Sequence, residues 1–196
     1  MTRTSFIVAA LLPAAILVTS CSTREQRPPV ELPAVVKAAP AFSGTNFDGN
    51  PVTDAQLRGT VYLAYFFFTS CGGPCPVMNS KANVLQAEYA DAADFRIVGF
   101  SVDPVNDDVP RLARYAERYN ATRGRWYMLR MSADSVATLA SKGFLMGDAS
   151  QPALHSTRFA LVDADGNIRG YYDGMDETKL RDLRAVLDRL LKRSAA

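Results

Sequence analysis

Histidine occurs once in this chain of 196 residues, at His155, and cysteine only three times, at Cys21, Cys71 and Cys75. Soft metal ligands are therefore scarce, and a closed structural zinc site of four Cys or His donors has no spare set to draw on. Net charge is small as well, at +2, and no basic stretch is interleaved with aromatic residues. That excludes the electrostatic footprint of a nucleic-acid-binding surface. The apolar run from Phe6 to Val18 is too short to span a bilayer comfortably, so it does not read as an anchor helix. What is present suits an ordinary soluble domain: 48% of residues are hydrophobic and 21% charged. The length allows one well-packed domain of about 150 residues with extras at an end.

The extras are at the start. Arg3 precedes the apolar run, which ends in small residues, the shape of a signal peptide. Its last four residues, Val18-Thr19-Ser20-Cys21, resemble a bacterial lipobox. Residues 1–20 are thus expected to be removed, leaving Cys21 as a lipid-bearing first residue. A plain secretory signal with an incidental cysteine is the alternative. The expected location is the cell envelope, lipid-anchored to a membrane facing the periplasm or the cell exterior, and either signal implies export. Thiols exposed in such an oxidising place need protection or a recycling partner, a protein thiol reductant. Residues 21–41, rich in proline and alanine and without amphipathic period, read as a tether.

A folded domain is expected over residues 42–193. "FSGTNFDGNPVT" reads as two short strands turning at Asp48-Gly49. "TVYLAYFFF" (residues 60–68) is a central strand covered on both faces. Met78, Ala82, Leu85 and Tyr89 recur at helical spacing, predicting a helix over residues 76–92. "FRIVGFSV" is a second buried strand. Asp107 and Asp108 can cap the next helix, with Pro110 in its first turn. "RWYMLRM" is a strand, and "SADSVATLASKG" a short helix stopping at Gly143. "TRFALVDADGNIRGYYDG" is a hairpin turning at Asp165-Gly166. A last helix starts at Asp176, with Leu180, Leu183, Leu187, Leu190 and Leu191 as its apolar stripe. Strands alternating with helices imply an α/β domain. A dithiol directly after the first long buried strand, where a helix begins, is the thioredoxin arrangement. The expected fold is thioredoxin-like, a mixed central sheet flanked by helices, with an N-terminal hairpin extension.

The chemistry sits in "FFFTSCGGPCP". Cys75 lies beside a helix N-terminus, whose free N–H groups favour thiolates, so it is expected to ionise more readily than a free cysteine. Gly72 and Gly73 let the loop turn so that both sulfurs reach one spot. Three residues between the cysteines permit a disulfide and also leave room for an ion. Two thiolates and an imidazole suit Cu(I), Cu(II) or zinc, and the missing fourth donor tilts the choice towards copper. A structural disulfide stays open, as does a surface role for His155. Met78 and Met146 are further soft donors, although such methionines usually fill cores. The stretch Asp163–Gly166 looks like a calcium loop, but Ile168 stands where glycine is needed. It is read as a turn.

Three separated stretches resemble one family. "FFFTSCGGPCP" resembles the T-x-C-P-x-x-C-P loop of the Sco/SenC proteins, copper-handling assembly factors of cytochrome c oxidase. "VGFSVDPVNDDVPRLARYAERY" is similar to their S-V-D-P segment and helix, and "HSTRFALVDADGNIRGYY" to the hairpin that carries their ligating histidine. The resemblance implies Cys71, Cys75 and His155 as the ligands of one copper ion, with a copper-accepting oxidase subunit as partner. It also suggests that Asp103 touches a partner or orients the site, against the alternative of a plain Asp-Pro turn with Pro104. One departure is Gly72, where the family usually has proline. Two functions follow from the resemblance. The first is a copper metallochaperone using Cys71, Cys75 and His155. The second is a thiol-disulfide reductase that keeps the target's cysteines reduced and uses Cys71 and Cys75 as a redox dithiol. A lipoprotein with a structural disulfide and a binding face is a third.

Overall fold

The computed structural model describes residues 31–147 and 156–194. Its spine is β4 (Val61–Phe67), every residue of which is buried. Successive side chains of a strand face opposite sides, and β4 serves two cores in this way. Val61, Leu63, Tyr65 and Phe67 enter one cluster, whereas Tyr62, Ala64 and Phe66 enter the other. An unbroken apolar run is what such a doubly covered strand requires.

Strand β5 (Phe95–Ser101) lies parallel to β4, from Val61↔Phe95 to Phe67↔Ser101, and β6 (Trp126–Arg130) lies parallel to β5. On the other flank of β4, β7 (Arg158–Val162) runs antiparallel and turns into β8 (Asn167–Asp173). The turn uses Gly166 at φ 82°, in the left-handed region that glycine tolerates. With β1 (Lys37–Ala38) and the hairpin β2 (Ser43–Asn46) and β3 (Pro51–Thr53), the mixed sheet has the order β1-β8-β7-β4-β5-β6-β2-β3. This is the α/β architecture the sequence implies, hairpin extension included.

Helices α1 (Cys75–Glu88), α2 (Val109–Arg118) and α4 (Glu177–Ser194) cover one face. Helix α1 turns Cys75, Met78, Asn79, Ala82, Leu85 and Gln86 inward and ends four residues before Ala92. Asp108 caps α2, its carboxylate accepting from the Arg111 amide at 2.8 Å. On α4, Leu180, Leu183, Val186, Leu187 and Leu190 are buried. The other face is closed by α3 (Ala133–Thr138) and a π-helical turn at Leu139–Gly143.

The short helical stretch stops at Gly143, as expected, and the positive φ falls two residues later, on Leu145, at 55°. Glycine is needed at 143 for space, since a Cβ there would stand 2.9 Å from the Pro40 ring. The sheet begins earlier than expected, inside the stretch read as tether. The Val36 amide donates to Ile168 at 2.9 Å and the Ala39 amide to Gly166 at 2.8 Å, which adds β1 to the edge of β8. Prolines on both sides of this stretch hid it, because a two-residue edge strand carries no period.

Candidate functional site

Four connections meet at one edge of the sheet. They follow β4, follow β5, precede β7 and follow β8, as the parallel and antiparallel registers dictate. Hydrogen bonds and packing tie them together. The Gly174 amide donates to the Thr157 carbonyl at 2.8 Å, and a Cβ on Gly174 would collide with Met78 and Phe159. The Ser156 amide donates to Met146 at 3.2 Å. Cys71 and Cys75 sit at this edge, on the loop after β4 and the first turn of α1.

Both cysteines are free thiols, Cys71 half-buried and Cys75 fully buried. They touch, Cys75 hydrogen-bonding to the sulfur of Cys71. The expectation that the helix N-terminus makes Cys75 acidic is overturned. Burial first, and contact with Cys71 second, push its thiol up to about 12. The amides of Phe68 and of Cys75 itself act the other way and are outweighed. Pro76, at the second position of the helix, removes one of the N–H groups on which the dipole effect depends. Cys71 is the less buried thiol of the pair and Cys75 is its protonated neighbour.

Two buried polar clusters hold the ends of this loop. Before Cys71, the carboxylate of Asp107, which is 0% exposed, accepts from the Thr69 amide at 3.1 Å and the Thr69 hydroxyl at 2.5 Å. It also accepts from the Ser101 hydroxyl at 2.6 Å. Arg111 covers the cluster, its Nε 2.8 Å from the Thr69 hydroxyl and 4.0 Å from the carboxylate. Asp107 therefore does not cap α2. It binds the end of β4 to the end of β5. After Cys75, the Asn79 side chain donates to the Cys75 carbonyl at 2.8 Å and to the Tyr115 hydroxyl at 3.1 Å, and accepts from Tyr65 at 2.7 Å. Trp126 donates to the Tyr65 hydroxyl at 3.2 Å. Burial holds both tyrosines well above their usual range, so they stay neutral. The sequence did carry a signal for Asn79: it is a polar residue one helical turn after Cys75, on the face of Met78 and Ala82.

The remaining candidates fall as follows. Asp103 commits its carboxylate to Asn106 at 2.9 Å within its own loop, and its carbonyl accepts the Asp107 amide at 2.9 Å. Met78 and Met146 are buried in separate cores. Asp163 accepts the Asn167 amide at 2.8 Å, and its partner Arg169 lies at 2.9 Å, a turn fixed by an ion pair. Cys21 and His155 lie outside the described residues; the described chain resumes at Ser156, one residue after His155. Among the described residues no group of three His, Cys, Asp or Glu side chains is placed to hold a metal ion. Three exposed apolar side chains, Val105, Leu145 and Met175, lie on the connections at the dithiol edge, Val77 lies in the first turn of α1, and Val105 is 83% exposed.

A model of the SCO1/SenC family matches residues 33–192. The SCO1 protein homologue of Bacillus subtilis (strain 168) is 32% identical over 148 residues, which is 72% of this chain and 77% of that protein. Among solved structures, BsSco is described as a member of the Sco family of cytochrome c oxidase assembly proteins with a disulfide switch. It shares 28% identity at a TM-score of 0.67, covering 80% of this chain and 98% of its own. Arabidopsis thaliana ScoI with copper bound has a TM-score of 0.63 at 21% identity, over 78% of this chain and 99% of its own, a likeness of fold.

Proposed function

The chain belongs to the SCO1/SenC family, and on that premise we propose that it is a copper metallochaperone for a cytochrome c oxidase subunit. Cys71, Cys75 and His155 are the proposed ligands. The observation that carries this reading is the meeting of the two thiols at the edge of the sheet from which β7 starts. The donor chemistry fits the cargo: two thiolates satisfy Cu(I), while Cu(II) favours added nitrogen. Cys71 is only half-buried, and Cys75 is fully buried in an apolar core. Because Cys75 holds its proton up to about 12, loading must displace that proton, so metal uptake is coupled to proton release. The exposed Val77, Val105, Leu145 and Met175 offer the partner an apolar rim around the thiols. An acyl chain on Cys21 would keep the domain on an envelope membrane.

A second reading has its own support in the contact between the two thiols. As a reductase, Cys71 would attack a target disulfide as the thiolate and form a mixed disulfide. Cys75 would then attack Cys71, giving up its proton and releasing the second target thiol, with a Cys71–Cys75 disulfide left behind. A protein thiol reductant would have to restore the pair. Only copper delivery needs His155.

The test is one variant in two assays. His155→Ala is expected to keep Cu(I) on Cys71 and Cys75, to lose stable Cu(II), and to reduce a model disulfide at a near-native rate. It should fail to support assembly of active oxidase. Replacing Cys71 or Cys75 by Ala should abolish tight copper binding, read as metal stoichiometry of the reduced protein. Cells carrying His155→Ala that still assemble active oxidase would give the reductase reading the advantage.

A further inference from the structure

Asn79 is an unfavourable residue for the place it occupies. It lies inside α1 and is 0% exposed, where asparagine is a weak helix former and a buried amide costs free energy unless every group is paired. Here every group is paired. Its Nδ2 donates to the Cys75 carbonyl and the Tyr115 hydroxyl, and its Oδ1 accepts from Tyr65, which in turn is held by Trp126. The network therefore joins the first residue of α1 to α2, β4 and β6. It is built around Tyr65 with little slack: a Cβ on Gly99, the residue opposite on β5, would stand 2.8 Å from the Tyr65 ring.

The Cys71 side of the loop is different. A Cβ on Gly72 would meet nothing within 4 Å, one on Gly73 would meet only the Cys71 sulfur at 4.0 Å, and the Cys71 amide makes a long bond of 3.3 Å to Phe68. One sulfur stands on a braced floor and the other on an open arm. We propose that Asn79 is a positioning residue that fixes Cys75 against the sheet, so that closing and opening of the dithiol are movements of Cys71 alone. A leucine, with the same number of side-chain heavy atoms branched at the same position, would occupy the site without tying Cys75 to anything. The polar network thereby raises the effective concentration of Cys75 sulfur at Cys71 and favours the disulfide over the open dithiol.

This rests on Cys71 and Cys75 being the reacting pair. The experiment is a redox titration of the full chain in glutathione and glutathione disulfide, the two thiols passing two electrons and two protons to the glutathione disulfide. Free thiols are counted by alkylation and mass shift. Asn79→Leu is expected to lower the dithiol-to-disulfide equilibrium constant about tenfold, a shift of about 30 mV towards easier reduction for this two-electron couple. Tyr65→Phe, which removes only the hydroxyl that holds Oδ1, should shift it the same way by about threefold. Leu190→Ala, a core truncation on α4, should destabilise the fold and leave the constant unchanged. If Asn79→Leu and Tyr65→Phe both stay within twofold of the natural chain, or if Leu190→Ala moves the constant equally, Asn79 is only a packing residue. A natural chain with no titratable couple would overturn the dithiol reading as well as this one.

Discussion

Asp107 is the residue whose removal should be felt most sharply at the loop before Cys71. Its buried carboxylate accepts from the Thr69 amide, the Thr69 hydroxyl and the Ser101 hydroxyl. Hydrogen bonds to a charged acceptor are worth about 1.5–3 kcal/mol each, and an orphaned buried donor costs about 1–3 kcal/mol. Ser101 is 0% exposed, so its hydroxyl is left without an acceptor, whereas Thr69 is only partly buried and its hydroxyl can donate to water. Asp107→Ala should therefore cost about 3–5 kcal/mol, in the range found when buried charged networks are broken. Asp107→Asn keeps the shape but turns one acceptor into a donor facing donors, and should cost about 2 kcal/mol. Thr69→Val removes only the hydroxyl, so a double-mutant cycle with Asp107→Ala should show a coupling of about 1–2 kcal/mol. The assay is urea unfolding of the reduced chain without residues 1–20 and with Cys21→Ser, compared at constant m. A coupling below about 0.5 kcal/mol would refute the claim that this carboxylate holds the loop through Thr69. Copper stoichiometry of Asp107→Ala should fall as well, because the Cys71 arm loses its root.

Other outcomes follow from the same geometry. The reduced protein should lose stability as pH rises through the window from about 9 to 12, because the unfolded thiol of Cys75 gives up its proton first while the folded one holds it to about 12. The loss is at most about 1.4 kcal/mol per pH unit, and it is read as the difference from Cys75→Ala between pH 9 and 10, in which the contributions of the tyrosines common to both chains cancel. No difference there would mean that Cys75 is not buried as a thiol. Val105→Asp, at a side chain 83% exposed, should leave stability and copper stoichiometry within error and slow transfer to the oxidase subunit severalfold; an unchanged transfer rate removes Val105 from the docking rim. Mass spectrometry of the membrane fraction should find a mature N-terminus at Cys21 carrying acyl chains, and a soluble chain with a free Cys21 thiol would contradict the lipid anchor.

Much of the fold was legible because hydrophobic period is a local signal. The buried β4, the capped α2 and the stripe of α4 all announce themselves within a few residues. The dithiol was legible for the same reason, since spacing and glycines lie side by side. What escaped depends on distance. The ionisation of Cys75 turns on burial in the core between α1 and the sheet, and the helix-terminus rule alone gives the wrong sign. Asp107 looks like a cap because an aspartate pair precedes a helix, and only the parallel pairing of β4 with β5 brings Thr69 to it. The brace through Asn79 joins residues 14, 36 and 61 positions apart, and no window along the chain contains it.

The early start of the sheet also sets a length. Leu32 already packs against the core, and the Pro33 carbonyl accepts from Arg169 at 3.2 Å. Were Cys21 held in a bilayer by the proposed acyl chain, the run from Cys21 to Leu32 could reach at most about 35 Å. That is about the diameter of a domain this size. The thiols would then stay within about 70 Å of the lipid surface, the sum of the two lengths. An acceptor copper site would have to lie inside that shell. Lengthening the stretch between Cys21 and Leu32 would widen the shell while thinning the concentration of thiols anywhere within it, a trade between range and encounter rate.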